Sequence, residues 1–130
     1  MKEYSKNKCP FCNPVEVLTE NWFAYAIYDA YAVSPGHILV IPKRHSFDWF
    51  HMKWYEKAAC WWLVERVKLM LDKTINPDGY NVGFNCDETA GQTVFHTHIH
   101  IIPRYHGDTK NPYGGIRKVI PEKADYSLDI

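Results

Sequence analysis

Neither sign of charge is in excess in this sequence, where 15 basic residues face 15 acidic ones over 130 positions. That absence removes the global field with which proteins gather nucleic acid or anionic membrane, so any anion site has to be local. No apolar run approaches the length of a membrane span, and the opening MKEYSKNKCPF lacks the apolar core of a secretion signal. A cytoplasmic protein with no nucleic-acid or membrane partner is the expectation. Cysteine is sparse at four residues, which in such a compartment argues for thiols or metal ligands rather than a disulfide framework. No repeat, low-complexity tract or long linker divides the chain. Its length suits a single domain over 1–130 with a modest core.

What is present falls into alternating and helical stretches. NWFAYAIYDAYAVSPG reads as an aromatic-rich strand closing on a Ser-Pro-Gly turn, and HILVIPKRH as a buried strand with Pro42 near its end. From about Met52 to Ile75 the period changes. Tyr55, Ala59, Leu63, Val67 and Met70 mark one helical face, stopped by Asn76-Pro77-Asp78-Gly79. Trp61 and Trp62 add bulk beside that stripe, enough to cover a second face against another subunit. YNVGFN is a short strand, CDETAG a loop and TVFHTHIHIIP a second long strand. Residues 105–130 form a polar tail. The order predicts an α+β fold: an antiparallel sheet of about five strands with one long helix and a shorter one.

The strand FHTHIHIIPR carries His96, His98 and His100 at alternate positions, three of seven histidines within five residues. Alternation sends them to one face of the strand, with Phe95, Thr97, Ile99 and Ile101 on the other. At about 3.3 Å per residue the outer two lie about 13 Å apart. Zinc–nitrogen bonds of about 2.0–2.1 Å cannot join all three to one ion. The plain alternative is a row of polar residues on the solvated face of a half-buried strand; different jobs for different histidines is the expectation. A second pair, Cys9 and Cys12 in KCPFCNP, has the spacing shared by zinc knuckles and thiol–disulfide enzymes. The redox use needs a strand before and a helix after, and VEVLTEN has little helical character. A closed zinc site needs four ligands, of which the pair supplies two.

HTHIHII resembles the His-x-His-x-His pattern of the histidine triad superfamily of nucleotide hydrolases and transferases. GQTV before it, IPR after it and SPGHILVIPKRH upstream are similar to the same family, in the family's order from Cys9 to about Pro121. The resemblance implies a HIT-like fold with an N-terminal zinc-binding segment at about 9–12. It implies that His98 attacks the α-phosphorus of a nucleotide to form a nucleotidyl-histidine that water hydrolyses. A neutral imidazole is suited to that attack near pH 7. By the same likeness His100 donates to a phosphate oxygen or the leaving group, and His37 is the upstream fourth histidine of the catalytic set. A carbonyl of the GHILV stretch would fix the tautomer of His98. Asn85, Gln92 and Thr93 would contact phosphate or ribose, and Gly91 would let the loop pass close to the phosphates. Asp29 would accept from the ribose hydroxyls, with Ile27 and Phe23 forming a slot for adenine or another purine.

The resemblance also completes the zinc site, Cys9 and Cys12 with His45 and His96, so that His96 counts both in the catalytic set and among the metal ligands. Cys60 is expected in the core and Cys86 in the loop, where Cys86-Asp87 replace the small residues usual in relatives. Tyr113 stands where an arginine is expected, and Arg117 is a possible phosphate ligand of the tail. The implied activity is cleavage of a dinucleoside polyphosphate or a nucleoside phosphoramidate by a homodimer. The alternatives are a nucleotidyltransferase or phosphorylase, a non-catalytic nucleotide-binding module, and a zinc-structured protein with an incidental triad.

Overall fold

Side-chain alternation along three short strands sets the architecture. The computed structural model describes residues 8–126. They form β1 (Thr19–Glu20), β2 (Ala24–Tyr28), β3 (Ile38–Pro42), α1 (Trp54–Thr74), β4 (Gly79–Gly83) and β5 (Ile99–Arg104). The sheet runs β1-β2-β3-β5-β4 with every neighbouring pair antiparallel. The α+β fold and its five strands are as the sequence implies. Beside α1, the described helical segments are short 3-10 turns of three to five residues, not a second α-helix.

One face of the sheet is dry. Ala24, Ala26, Ile38, Val40, Ile99 and Ile101 pack under Cys60, Leu63, Val64, Val67 and Leu71 of α1. Each fully buried Leu or Ile side chain contributes about 1.5–3 kcal/mol by leaving water. The buried stripe of α1 includes Leu63 and Val67 but runs through Glu56 and Cys60, not Tyr55 and Ala59. The cause is an anchor at the helix start. Arg44 grips the buried Glu56 carboxylate with Nε at 2.9 Å and Nη2 at 2.7 Å, and the Lys53 N–H donates to it at 2.9 Å. That grip rolls the helix and ties it to the segment that carries His45.

The opposite face holds a smaller cluster of Tyr25, Leu39 and Ile41 with Phe11 and Ile27. Register extends it into a row across four strands: Ile27 opposite Leu39, Leu39 opposite His100, His100 opposite Gly83. Phe23 leaves this row for the helix side, where its ring lies 4.9 Å from that of Tyr55.

The second long strand begins at Ile99, six residues later than the sequence suggests. The segment before it is held by other partners. Thr97 donates from its N–H to the Ser46 carbonyl at 2.8 Å, and the Gln92 carboxamide donates to the Phe47 carbonyl at 2.6 Å. The chain here is stitched to the loop after β3 instead of to β3 itself, so His96 and His98 precede the strand. Gly36 turns the chain into β3 at φ +87°, and a Cβ there would meet Ile75 Cδ1 at 2.5 Å. Only glycine fits, and the tight turn sets the position of His37.

Candidate functional site

Two clusters of imidazoles meet at the top of the sheet. In the first, the His96 Nδ1 lies 3.4 Å from Cys9 Sγ, 3.5 Å from Cys12 Sγ and 3.2 Å from His45 Nδ1. The Cys12 Sγ is 3.2 Å from His45 Nδ1, and the four donor atoms all fall within 4.8 Å of one another. A tetrahedral ion with bonds of about 2.0–2.1 Å to nitrogen and about 2.3 Å to sulfur sets its ligands about 3.3–3.8 Å apart. The spacing fits. The His96 Nε2–H donates to the Pro42 carbonyl at 2.7 Å, which leaves the Nδ1 lone pair aimed at the other three donors. His96 is fully buried, and burial lowers its pKa to about 4, so it is held neutral as a ligand must be. These four residues could hold one metal ion.

The second cluster is wired differently. The His98 Nδ1 donates to the His96 carbonyl at 2.8 Å. The tautomer-fixing carbonyl therefore comes from two residues upstream in the same segment, and not from the GHILV stretch, because 96–98 have peeled away from β3. The Val33 N–H donates to His37 Nδ1 at 3.1 Å, so the ring proton of neutral His37 sits on Nε2. That Nε2–H faces His100 Nδ1 at 3.0 Å and Asp29 Oδ2 at 3.3 Å. His100 in turn keeps its proton on Nε2. By distance alone Asp29, His37 and His100 could also ligate an ion. The Val33 amide argues against that use, because it occupies one nitrogen of His37 and keeps a proton on the other.

Burial is the first cause of lowered basicity in all three rings of this cluster. It lowers His37 against the pull of Asp29, and His98 against its bond to the His96 carbonyl. It takes His100 to about 4, with His98 and His37 adding to the effect. Near pH 7 the cluster is a set of neutral imidazoles with assigned protons.

A profile of the HIT domain matches residues 12–107. The chain belongs to the HIT domain family. An uncharacterised HIT-like protein of Mycoplasma genitalium is 38% identical over 111 residues, covering 81% of this chain and 79% of that one. An AP-4-A phosphorylase of Mycobacterium tuberculosis is 30% identical over 109 residues, 82% of this chain and 55% of its own. A bis(5'-adenosyl)-triphosphatase of Dictyostelium discoideum is 33% identical over 96 residues, 74% and 64% respectively. Among solved structures, a zinc-bound histidine triad protein of Mycobacterium smegmatis superposes with a TM-score of 0.74 at 30% identity, covering 82% of both chains.

Around the histidines of this HIT domain the remaining residues sort themselves by contact. Asn85 and Gly91 adjoin, since a Cβ on Gly91 would lie 3.9 Å from the Asn85 side chain. That is an ordinary contact. Glycine is needed there for its φ of +95°, not to clear space. Gln92 is buried and its carboxamide is committed, accepting from the Asp87 N–H at 2.8 Å while donating to Phe47 and Val94 carbonyls. It braces the loop and does not present a free side chain to a ligand. Thr93 is exposed. Asp29 is half-buried, with Oδ1 accepting from the Tyr31 N–H at 2.8 Å. Cys60 lies in the core and Cys86 in the loop.

Two participants are absent from the sequence reading. The Phe11 ring meets both imidazoles in edge-on fashion, its centre 5.0 Å from that of His98 and 6.0 Å from that of His96, and the Phe11 carbonyl accepts from the Tyr25 hydroxyl. Val33 fixes His37 through a backbone amide, which no side-chain pattern can signal. For Phe11 the signal was its place between two metal-type cysteines, because a loop that closes on an ion carries its central side chain to a fixed point.

A cavity of about 590 Å³ opens on the β4 side, lined by His37, His100, Asn85, Gly83, Ile116 and Lys118. A second recess lies on the β2 side, against Phe11, Ile27 and Tyr28. No described helix is long and apolar enough to cross a membrane.

Proposed function

We propose that this HIT protein is a nucleotide hydrolase. It cleaves the α-phosphate linkage of a dinucleoside polyphosphate or nucleoside phosphoramidate through a nucleotidyl-His98 intermediate. The observation that carries this is the bond from His98 Nδ1–H to the His96 carbonyl. It leaves the Nε2 lone pair as the nucleophile, and burial keeps the ring neutral. Nε2 forms a bond to the α-phosphorus while the bond from phosphorus to the leaving atom breaks, its electron pair going to the leaving group, which takes up a proton from solvent when it is an amine. Water then attacks phosphorus, the nitrogen–phosphorus pair returns to Nε2, and the water's proton passes to solvent. His100, with Nε2–H as its donor, steadies a phosphate oxygen, and His37 positions His100.

Asp29 is assigned to the ribose hydroxyls and Ile27 to a purine-binding recess. Asn85, Gly91 and Thr93 are assigned to the phosphate, with Gln92 holding that loop in shape. His96 joins the two clusters by giving a ring nitrogen to one and a carbonyl to the other. Zinc is the ion we assign to Cys9, Cys12, His45 and His96, for their donor set and closed geometry. It would brace the segment that holds Phe11 and His96. The whole chain is read as one HIT domain with a polar tail after about residue 105. A two-fold homodimer is supported by β4, whose outer edge has no strand beside it among the described residues, and by exposed Trp54, Trp61 and Trp62 along α1. The cytoplasm remains the expected compartment.

The test is nucleotide release from diadenosine triphosphate and from adenosine 5'-phosphoramidate by wild type and His98→Asn. Release should fall at least about 1,000-fold in the variant, as loss of a covalent nucleophile requires. Equal rates in the two proteins would overturn the reading. The likeness to the AP-4-A phosphorylase favours a second reading, in which inorganic phosphate replaces water. Diadenosine tetraphosphate consumption that depends on added phosphate, with ADP as a product, would select it.

A further inference from the structure

The polar tail is not a loose end. Residues 115–119 form a 3-10 turn against the histidine face, with Gly115 beside Asn81 and Ile116 beside Gly83. This turn walls the 590 Å³ cavity together with His37, His100 and Asn85. The volume lies within the range of about 300–1,000 Å³ usual for small-molecule sites. His98 does not line it. In an in-line displacement the leaving group departs on the side of phosphorus away from the nucleophile. This cavity meets His100 but not His98, whereas the recess against Phe11, whose ring lies 5.0 Å from that of His98, and Ile27 is on the other flank.

The charge in the cavity is local and positive. Arg104 is neutralised by Asp108 through two 2.8 Å contacts, with a third bond to Asn81. The two histidines are held neutral by burial. Lys118 remains, and it has no ion-pair partner among the described residues. Arg117, the tail cation that the sequence brings forward, is engaged elsewhere. It lies 4.6 Å over the Tyr126 ring and donates to the Lys123 carbonyl at 2.9 Å.

We infer that the tail cavity receives the departing part of the substrate, and that Lys118 selects a leaving group that carries phosphate over a neutral amine. Apolar Val33, Ile102 and Val119 supply walls against which the nucleoside end of such a group can pack. This rests on the hydrolase reading and narrows it to the polyphosphate class. Lys118 is a specificity determinant and takes no part in bond breaking.

The experiment compares kcat/KM of wild type, Lys118→Glu and Arg117→Ala on diadenosine triphosphate and on adenosine 5'-phosphoramidate. Loss of a charge-assisted phosphate contact should lower the Lys118→Glu value for the triphosphate about tenfold or more, and that for the phosphoramidate less than about twofold. Arg117→Ala should leave both unchanged. Equal losses on the two substrates, or none, would overturn the assignment. Calorimetric binding of inorganic tripolyphosphate gives a readout independent of turnover. It should weaken about tenfold in Lys118→Glu, and unchanged binding would also overturn it. If wild type cleaves neither substrate the hydrolase reading fails, while tripolyphosphate binding still decides the role of Lys118.

Discussion

The two histidine clusters differ less in composition than in where one backbone group touches each ring. In the cysteine cluster, the Pro42 carbonyl takes the Nε2 proton of His96, and the Nδ1 lone pair turns inward toward other donors. In the neighbouring cluster the His96 carbonyl takes the Nδ1 proton of His98, so Nε2 becomes the basic nitrogen. His37 is tied from the opposite sense, by an amide donor, and becomes a donor itself. Burial keeps these rings neutral alike. In the function proposed above, the tautomer set by one hydrogen bond is what separates the metal ligand from the nucleophile and both from the positioning group.

The metal side should break first and hardest. His45→Ala and Cys9→Ser should lose the ion and destabilise the protein by about 3 kcal/mol or more, because the remaining buried donors are left without it. Metal analysis and thermal unfolding measure this. His96→Ala should add a fall in activity beyond that of His45→Ala, since it also disturbs the segment holding His98. Equal activity in the two would separate the clusters.

On the other side, His37→Ala should keep the metal and the melting temperature near wild type. Its kcat should drop about 10–100-fold, a size usual for a group that orients another. Restoration by His37→Gln, whose amide can still donate to His100, would show positioning rather than proton transfer.

A smaller effect lies in the pH profile. An imidazole with pKa near 6.5 is only about one-tenth neutral at pH 5.5. Burial lowers His98, so the nucleophilic form persists as pH falls and the acid limb should lie below 6.5. The fraction of the pH 7.5 activity that remains at pH 5.5, read from kcat/KM, should exceed the roughly one-tenth expected of an unshifted imidazole. A limb at 6.5 would mean that His98 is solvated in the working enzyme. The least of the four concerns Asp87, which adopts φ 74° and ψ 169°, a region almost reserved for glycine. Asp87→Gly should stabilise by about 1 kcal/mol, net of the lost cap on the Glu88 N–H, as seen in the melting temperature.

Much of this was legible in the residues. The alternation of β-branched and histidine residues marked the strand, the 3–4 spacing marked α1, and the spacing of the triad excluded a single three-histidine ion. The boundary of β5 was not legible, because the residues from Thr93 to His98 suit a strand equally well. The Thr97 N–H and hydroxyl bonds to the Ser46 carbonyl, and the bond from the preceding Gln92 side chain to Phe47, hold the segment out of it. The roll of α1 was hidden for a similar reason, as it depends on Arg44 reaching Glu56 across 12 residues. Lys118 and Arg117 look alike in sequence, and only the fold of the tail shows which one lines the cavity.

By itself, the sequence determined which side chains could do chemistry and that three alternating histidines on a strand could not share one ion. Those facts follow from bond lengths and the two-residue period of a strand. Which nitrogen of each ring carries its proton was decided only by tertiary structure. The partners that decide it, the Pro42 and His96 carbonyls and the Val33 amide, are backbone groups carried by every residue type. Their identity in the sequence therefore holds no trace of the role their position gives them.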